Sequence, residues 1–125
     1  MAGLTHIGEN LIINEIFRKE GKNYYLGLLK ADPTDNASNI QEVEGTSYAR
    51  QQITFEDPQN GETYNKNDIN FPVATENWGW ITHIGLFDNV SEGNLIAYSA
   101  LDYRKEIRAA DIYKIPNAFF IFKVD

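Results

Sequence analysis

The chain has 125 residues, 42% apolar and 23% charged, a balance that excludes a disordered polymer and fits one hydrophobic core. It contains no cysteine, which excludes disulfides, thiolate metal sites and cysteine nucleophiles. Eleven basic against eighteen acidic residues leave a net charge of −7, the wrong sign for gripping phosphate backbones, so no nucleic-acid partner is expected.

No stretch reaches the roughly 20 apolar residues of a membrane span. The start Met1-Ala2-Gly3-Leu4-Thr5-His6 lacks the basic and then apolar pattern of a secretory leader, so synthesis in a cytoplasm is expected.

The first predicted element is a helix at about 8–19. Ile12 and Ile16 form one i,i+4 pair and Ile13 and Phe17 another, a stripe suited to lying on a sheet. Glu9 early and Arg18 and Lys19 late suit the helix dipole, and Gly21 ends the element. The run Tyr24-Tyr25-Leu26-Gly27-Leu28-Leu29-Lys30 reads as a strand buried on both sides. Ala31 to Asn36 supplies turn chemistry through Asp32-Pro33, and the polar stretch from Thr34 to Thr46 reads as a surface loop.

A second strand is expected over Tyr48–Phe55, and Asn60-Gly61 is the strongest hairpin signal in the chain, with a return strand near Tyr64. Ile69–Val73 reads as a further strand, with Pro72 marking an edge or a bulge. From Trp78 to Phe87 strict alternation puts Trp78, Trp80, Thr82, Ile84 and Leu86 on one face. Leu95–Leu101 completes a hairpin with that strand, Lys105–Ile107 forms a weaker one, and Ala118–Val124 is the last. Phe119 and Ile121 alternate there with Phe120, Phe122 and Val124, so both faces call for cover, from a second sheet, the helix or a neighbouring copy.

The fold expected is mainly β: an antiparallel β-sandwich or small barrel of about seven short strands with one N-terminal helix packed on it. It occupies a single domain over 1–125, with the β-rich body at about 24–125.

Catalytic patterns are missing. His6 and His83 are far apart, and His83 reads as a hydrogen-bonded strand residue beside Thr82. Glu42 and Glu44 read as solvated loop carboxylates. No calcium-loop, serine-elbow or glycine-rich phosphate signature is present, so no enzyme activity, metal or cofactor is expected. Arg104, Lys105 and Arg108 form a basic run that Glu106 and Asp111 dilute into a solvated face. Trp78 and Trp80 are either core or, if exposed, a platform for a sugar ring or a protein partner. Arg50, a guanidinium within a strand, calls for a carboxylate, with Asp102 and Asp111 as candidates.

Several blocks in order carry a resemblance. They are Glu9-Asn10-Leu11-Ile12 with Ile16-Phe17-Arg18, then Tyr25-Leu26-Gly27-Leu28-Leu29 with Ala31-Asp32-Pro33-Thr34, and then Tyr48-Ala49-Arg50-Gln51 with Ile53-Thr54-Phe55. Asn70-Phe71-Pro72, Trp78-Gly79, Ile81–Asp88, Gly93-Asn94-Leu95 and Ala100-Leu101 follow. So ordered, the chain resembles the short phage proteins labelled tail fibre or tail fibre-like. It departs from them at Glu20-Gly21-Lys22-Asn23, which replaces a proline-containing linker, and around Ala110-Asp111-Ile112 and Ile115-Pro116.

The resemblance implies a virion structural protein made in a bacterial host: a tail-fibre, tail-tip or adaptor component with other virion proteins as partners. It also implies structural roles for the Tyr48, Arg50, Gln51 block and for His83. The alternatives are a capsid decoration or head-fibre protein, and a host-surface carbohydrate-binding module using Trp78 and Trp80. A small phage enzyme or nucleotide-sequestering protein fits less well, given the acidic charge and the missing phosphate loop. Strands apolar on both faces suggest a symmetric homo-oligomer, a trimer if the chain joins a fibre.

Overall fold

A computed structural model describes residues 2–124 of the chain. The Thr5 hydroxyl caps the first helix by accepting the Gly8 N–H at 3.1 Å. Helix α1 then runs His6–Ile12 and widens into a π-helical turn over Ile13–Phe17, where Arg18 N donates to Ile13 O at 3.2 Å. The element thus starts before the expected Gly8 and stops before Lys19. A sheet covers only one side of a helix. Ile13 and Phe17 take that side and are buried, whereas Ile16 is turned out. The Phe17 ring anchors the helix between Tyr24, Phe55 and Phe122, with centroids 5.2, 5.7 and 4.5 Å away.

Eight strands follow among the described residues: β1 (Tyr24–Leu29), β2 (Gln51–Ile53), β3 (Glu62–Tyr64), β4 (Ile69–Asn70), β5 (Gly79–Phe87), β6 (Leu95–Ile107), β7 (Lys114–Ile115) and β8 (Ile121–Lys123). A four-stranded sheet has the order β2-β1-β5-β6, and β3-β8 and β4-β7 form two-stranded sheets, all antiparallel. The fold is mainly β with one N-terminal helix, a sandwich of short strands and not a closed barrel.

Strand β1 is central and buried on both faces, as its unbroken apolar run requires. Tyr24, Leu26 and Leu28 join the main core with Ile53, Ile84, Leu86, Trp78 and Phe120. Gly27 and Leu29 point the other way, opposite Gly85 and His83 of β5.

The differences from the sequence reading have local causes. Strand β2 is only three residues long because Tyr48 and Arg50 bond through their side chains instead of a ladder. The Asn60-Gly61 hairpin forms, with φ of 53° and 77°, the doubly left-handed backbone of a type I′ turn. Its return strand β3 finds its ladder partner in β8, at the far end of the sequence. β4 stops at Asn70, short of Pro72, and pairs with β7, which the sequence did not reveal. The segment Lys105–Ile107 is the end of one long β6.

Strict alternation along β5 also fails. Opposite the single residue Thr82 of β5, strand β6 spends four residues, Leu101 to Arg104, between the pairs Ile81↔Lys105 and His83↔Ala100. This bulge switches the parity of β5, so Ile81 joins Ile84 and Leu86 in the core and Trp80 faces out. Gly79, at φ 88°, lets Trp78 turn inward just before the strand.

The C-terminal strand is pinned by fully buried Asn65, whose Oδ1 accepts the N–H groups of Phe119 and Phe120 at 2.9 and 2.8 Å. Its Nδ2 donates to the carbonyls of Asn67 and Pro116, both at 2.8 Å. Phe120 is buried by this pinning, but Phe119 and Ile121 are about half exposed, so the chain alone does not cover the second face.

Candidate functional site

The edge of β1 beyond β2 is occupied by side chains. Leu28 N donates to the Tyr48 hydroxyl at 2.9 Å, and that hydroxyl donates to Glu42 Oε2 at 2.5 Å. Glu42 itself forms a bridge with Leu29, and Val43 N reaches Leu28 O at 3.0 Å, so the chain after Gln41 lies against the sheet. The phenol thus takes the place of a missing carbonyl in the ladder. Burial, followed by the Glu42 carboxylate, raises the Tyr48 pKa well above its ordinary value, and the group stays a proton donor.

Arg50 closes this network. Its Nε donates to Glu42 Oε2 at 2.9 Å and one terminal nitrogen to Oε1 at 2.8 Å, the bidentate fork that matches a carboxylate. The other terminal nitrogen donates to the carbonyls of Asn89 and Glu92 at 2.9 and 2.7 Å, fastening the β5–β6 turn. The guanidinium carbon lies 3.6 Å from the Phe87 ring centroid, a stacked cation–π contact. The ring and Glu42 in turn need Gly27, where a Cβ would stand 2.6 Å from Glu42 Oε2 and 2.9 Å from both Phe87 Cε2 and the Tyr48 hydroxyl.

Two expectations are corrected here. Neither Asp102 nor Asp111 pairs with Arg50; Asp111 instead accepts the Arg108 N–H at 2.8 Å. Glu42 is not a solvated loop carboxylate, because its side chain and that of Arg50 are 20% and 8% exposed. Folding brings the bonds to the guanidinium and phenol, and local polarity gave no sign of it.

A second carboxylate holds the same segment. Glu76 accepts from the hydroxyls of Thr75, Ser47 and Thr46 at 2.6, 2.9 and 3.1 Å, and from Trp78 Nε1 at 3.2 Å. The Thr75 hydrogen bond leads in lowering its pKa from the ordinary 4.5 to about 2, with Ser47 and Trp78 assisting. The stretch from Thr34 to Thr46 is therefore tied down at its end by Glu42 and at Thr46 by Glu76, and its exposed earlier part is held to β6 by the Tyr98 hydroxyl, which donates to Asp35 Oδ1 at 2.5 Å.

Trp78 is 2% exposed and packs edge-on against the Tyr48 ring at 5.5 Å, which removes it from any surface contact. Trp80 is 43% exposed, with the Arg104 guanidinium 4.2 Å from its ring centroid. Gln51 pairs with Leu26 in the ladder, and its side chain donates to its neighbour Ala49 O at 3.0 Å. His83 Nδ1 lies 2.7 Å from the Thr82 hydroxyl, with its ring 6.2 Å from that of Tyr98. Gln51 and His83 do not touch the Arg50 network. A concavity of about 540 Å³ is lined by Glu56, Asp57, Gln59, Asn60, Glu62 and Tyr64. Arg18 pairs with Asp57 at its rim. Among the described residues no group of three or more His, Asp or Glu side chains is placed to hold a metal, and no helix is long and apolar enough to cross a membrane.

The carboxylates, the guanidinium and the phenol are all engaged in fastening loops to a sheet, the construction of a β-rich scaffold. The chain matches the family described as Podophage GP4 fiber I protein gp80 over residues 3–120 and belongs to that phage fibre family. No curated protein matches it.

Removing one member of a buried ion pair strands the other, so Arg50→Ala is expected to lower the unfolding free energy by about 3–5 kcal/mol in urea titration. The double variant with Glu42→Ala should lose much less than the sum of the single variants. Equal and additive losses would show that the two groups do not act together. The depressed pKa of Glu76 gives a separate expectation. Its charged form adds stability that is complete above the unfolded-state value near 4.5 and is lost as pH falls toward about 2. Acid titration by circular dichroism should show a shallower loss of stability in Glu76→Gln than in the unmodified chain over that window.

Proposed function

We propose that the chain is a non-catalytic structural component of a phage particle, carried on the tail or its fibres as a tip or adaptor module among other virion proteins. The observation that carries this reading is the family match along residues 3–120. The structure supports it physically. Its two engaged carboxylates, Glu42 with Arg50 and Glu76 with Ser47 and Trp78, are saturated with bonds that hold the loops in place. Such fixed loops suit a module that must keep its shape while bearing contacts.

A second reading rests on Trp80, whose half-exposed indole lies beside the β6 bulge with Tyr103 88% exposed. Aromatic faces of this kind stack on sugar rings, so the same module would touch host-surface glycan. In that case Trp80→Ala abolishes glycan binding by the purified chain while its melting temperature stays within a few degrees, and a chain that binds no glycan removes this reading.

Placement in the particle is read by immunogold electron microscopy with antibody against this chain. Gold at the tail is the expected result. Gold distributed over the head would replace the tail reading with a capsid decoration or head-fibre protein, and unlabelled particles would remove the virion role.

A further inference from the structure

Helix α1 is built inside out. An amphipathic helix on a sheet ordinarily turns its apolar residues inward, yet the buried residue of α1 is Glu9, 7% exposed. Glu9 Oε1 lies 2.8 Å from His6 Nδ1, and the next residue, Asn10, accepts the Gly61 N–H at 2.8 Å. The polar side of the helix therefore faces the β-rich body. On the outside stand Leu4, Ile7 and Leu11, 50%, 75% and 58% exposed. Leu4, just before the Thr5 cap, folds over Gly8, where a Cβ would lie 3.4 Å from Leu4 Cδ2. Ile7 and Leu11 are one turn apart, so the three side chains make a continuous apolar strip.

Spacing and charge identify what fits the strip. Steps of three and then four residues repeat along seams where like helices pack side by side. The chain as a whole carries −7, so most of its surface repels another copy of itself. From residue 2 to residue 14 the only carboxylate is Glu9, which is turned inward and lies beside His6, and the next one, Glu15, is 3.8 Å from Lys19. Between Leu4 and Leu11 a basic partner would find no exposed carboxylate to pair with, and a second acidic copy finds none to repel it.

We propose that α1 is a self-association surface, on which a second copy of this chain lays its own Leu4–Ile7–Leu11 strip. The inference goes beyond the place of the chain in a particle, because association is read on the purified protein whatever the gold labelling shows.

The chain has no cysteine, so a single introduced thiol reports the contact alone. Under mild oxidation Ile7→Cys should give a covalent dimer. Tyr103→Cys, introduced at a position that is more exposed and lies outside the strip, should remain monomeric. Sedimentation equilibrium of the unmodified full-length chain should show reversible self-association, lost in Leu11→Glu with an unchanged circular dichroism spectrum. A chain that sediments as a monomer at every concentration, an oligomer untouched by Leu11→Glu, or equal cross-linking of both cysteine variants would each overturn the proposal.

Discussion

A single carboxylate, that of Glu42, is what the rest of the structure leans on. It lies against the middle of the sheet, where a bare charge would be strongly unfavourable. Three donors meet it: two nitrogens of Arg50 and the hydroxyl of Tyr48. Each donor also holds something else. Tyr48 completes the β1 ladder at Leu28, and Arg50 grips the carbonyls of Asn89 and Glu92 while stacking on Phe87. One ion pair thereby joins the long loop before β2, the central strand and the β5–β6 turn. Glu76 repeats the device a short distance along the chain, tying Thr46 and Ser47 to the residues that lead into β5.

This economy explains how a chain with many short strands forms a specific structure. Two of the eight strands have two residues and three have three, too short to fix a register by ladder bonds alone. Side chains take over that task. Asn65 holds the approach to β8 with four hydrogen bonds, and Glu42 and Glu76 hold the approach to β2. No buried side-chain nitrogen or oxygen among the described residues is without a partner. Polar groups so completely used set geometry, and they leave the outward contacts to apolar residues on α1, at the β6 bulge and beside β8.

Elements whose signals are local were legible in the residues themselves. Continuous apolar character made β1 a strand buried on both faces, because only a covered sheet centre tolerates such a run. Asn60-Gly61 set its turn through the backbone freedom those two residues allow. The Tyr48–Arg50 block also stood out, since a guanidinium in a strand demands an anion, but the choice of Glu42 over Asp102 or Asp111 was beyond the sequence. Sequence distance carries no information about which of many carboxylates folding will bring within 3 Å.

Which face of each element is covered was set by long-range packing. The four-residue bulge of β6 against Thr82 reversed the parity of β5 and sent Trp80 out, while Gly79 at φ 88° turned Trp78 inward, where alternation had put the two together. Long-range packing also paired β3 with β8 and β4 with β7, partners separated by most of the second half of the chain. The inversion of α1 belongs here as well, because periodicity shows that a helix has two sides without showing which one meets the sheet. Local propensity acts between neighbours in sequence; bulges, long-range pairings and buried charges are settled by what the whole chain can pack and satisfy at once.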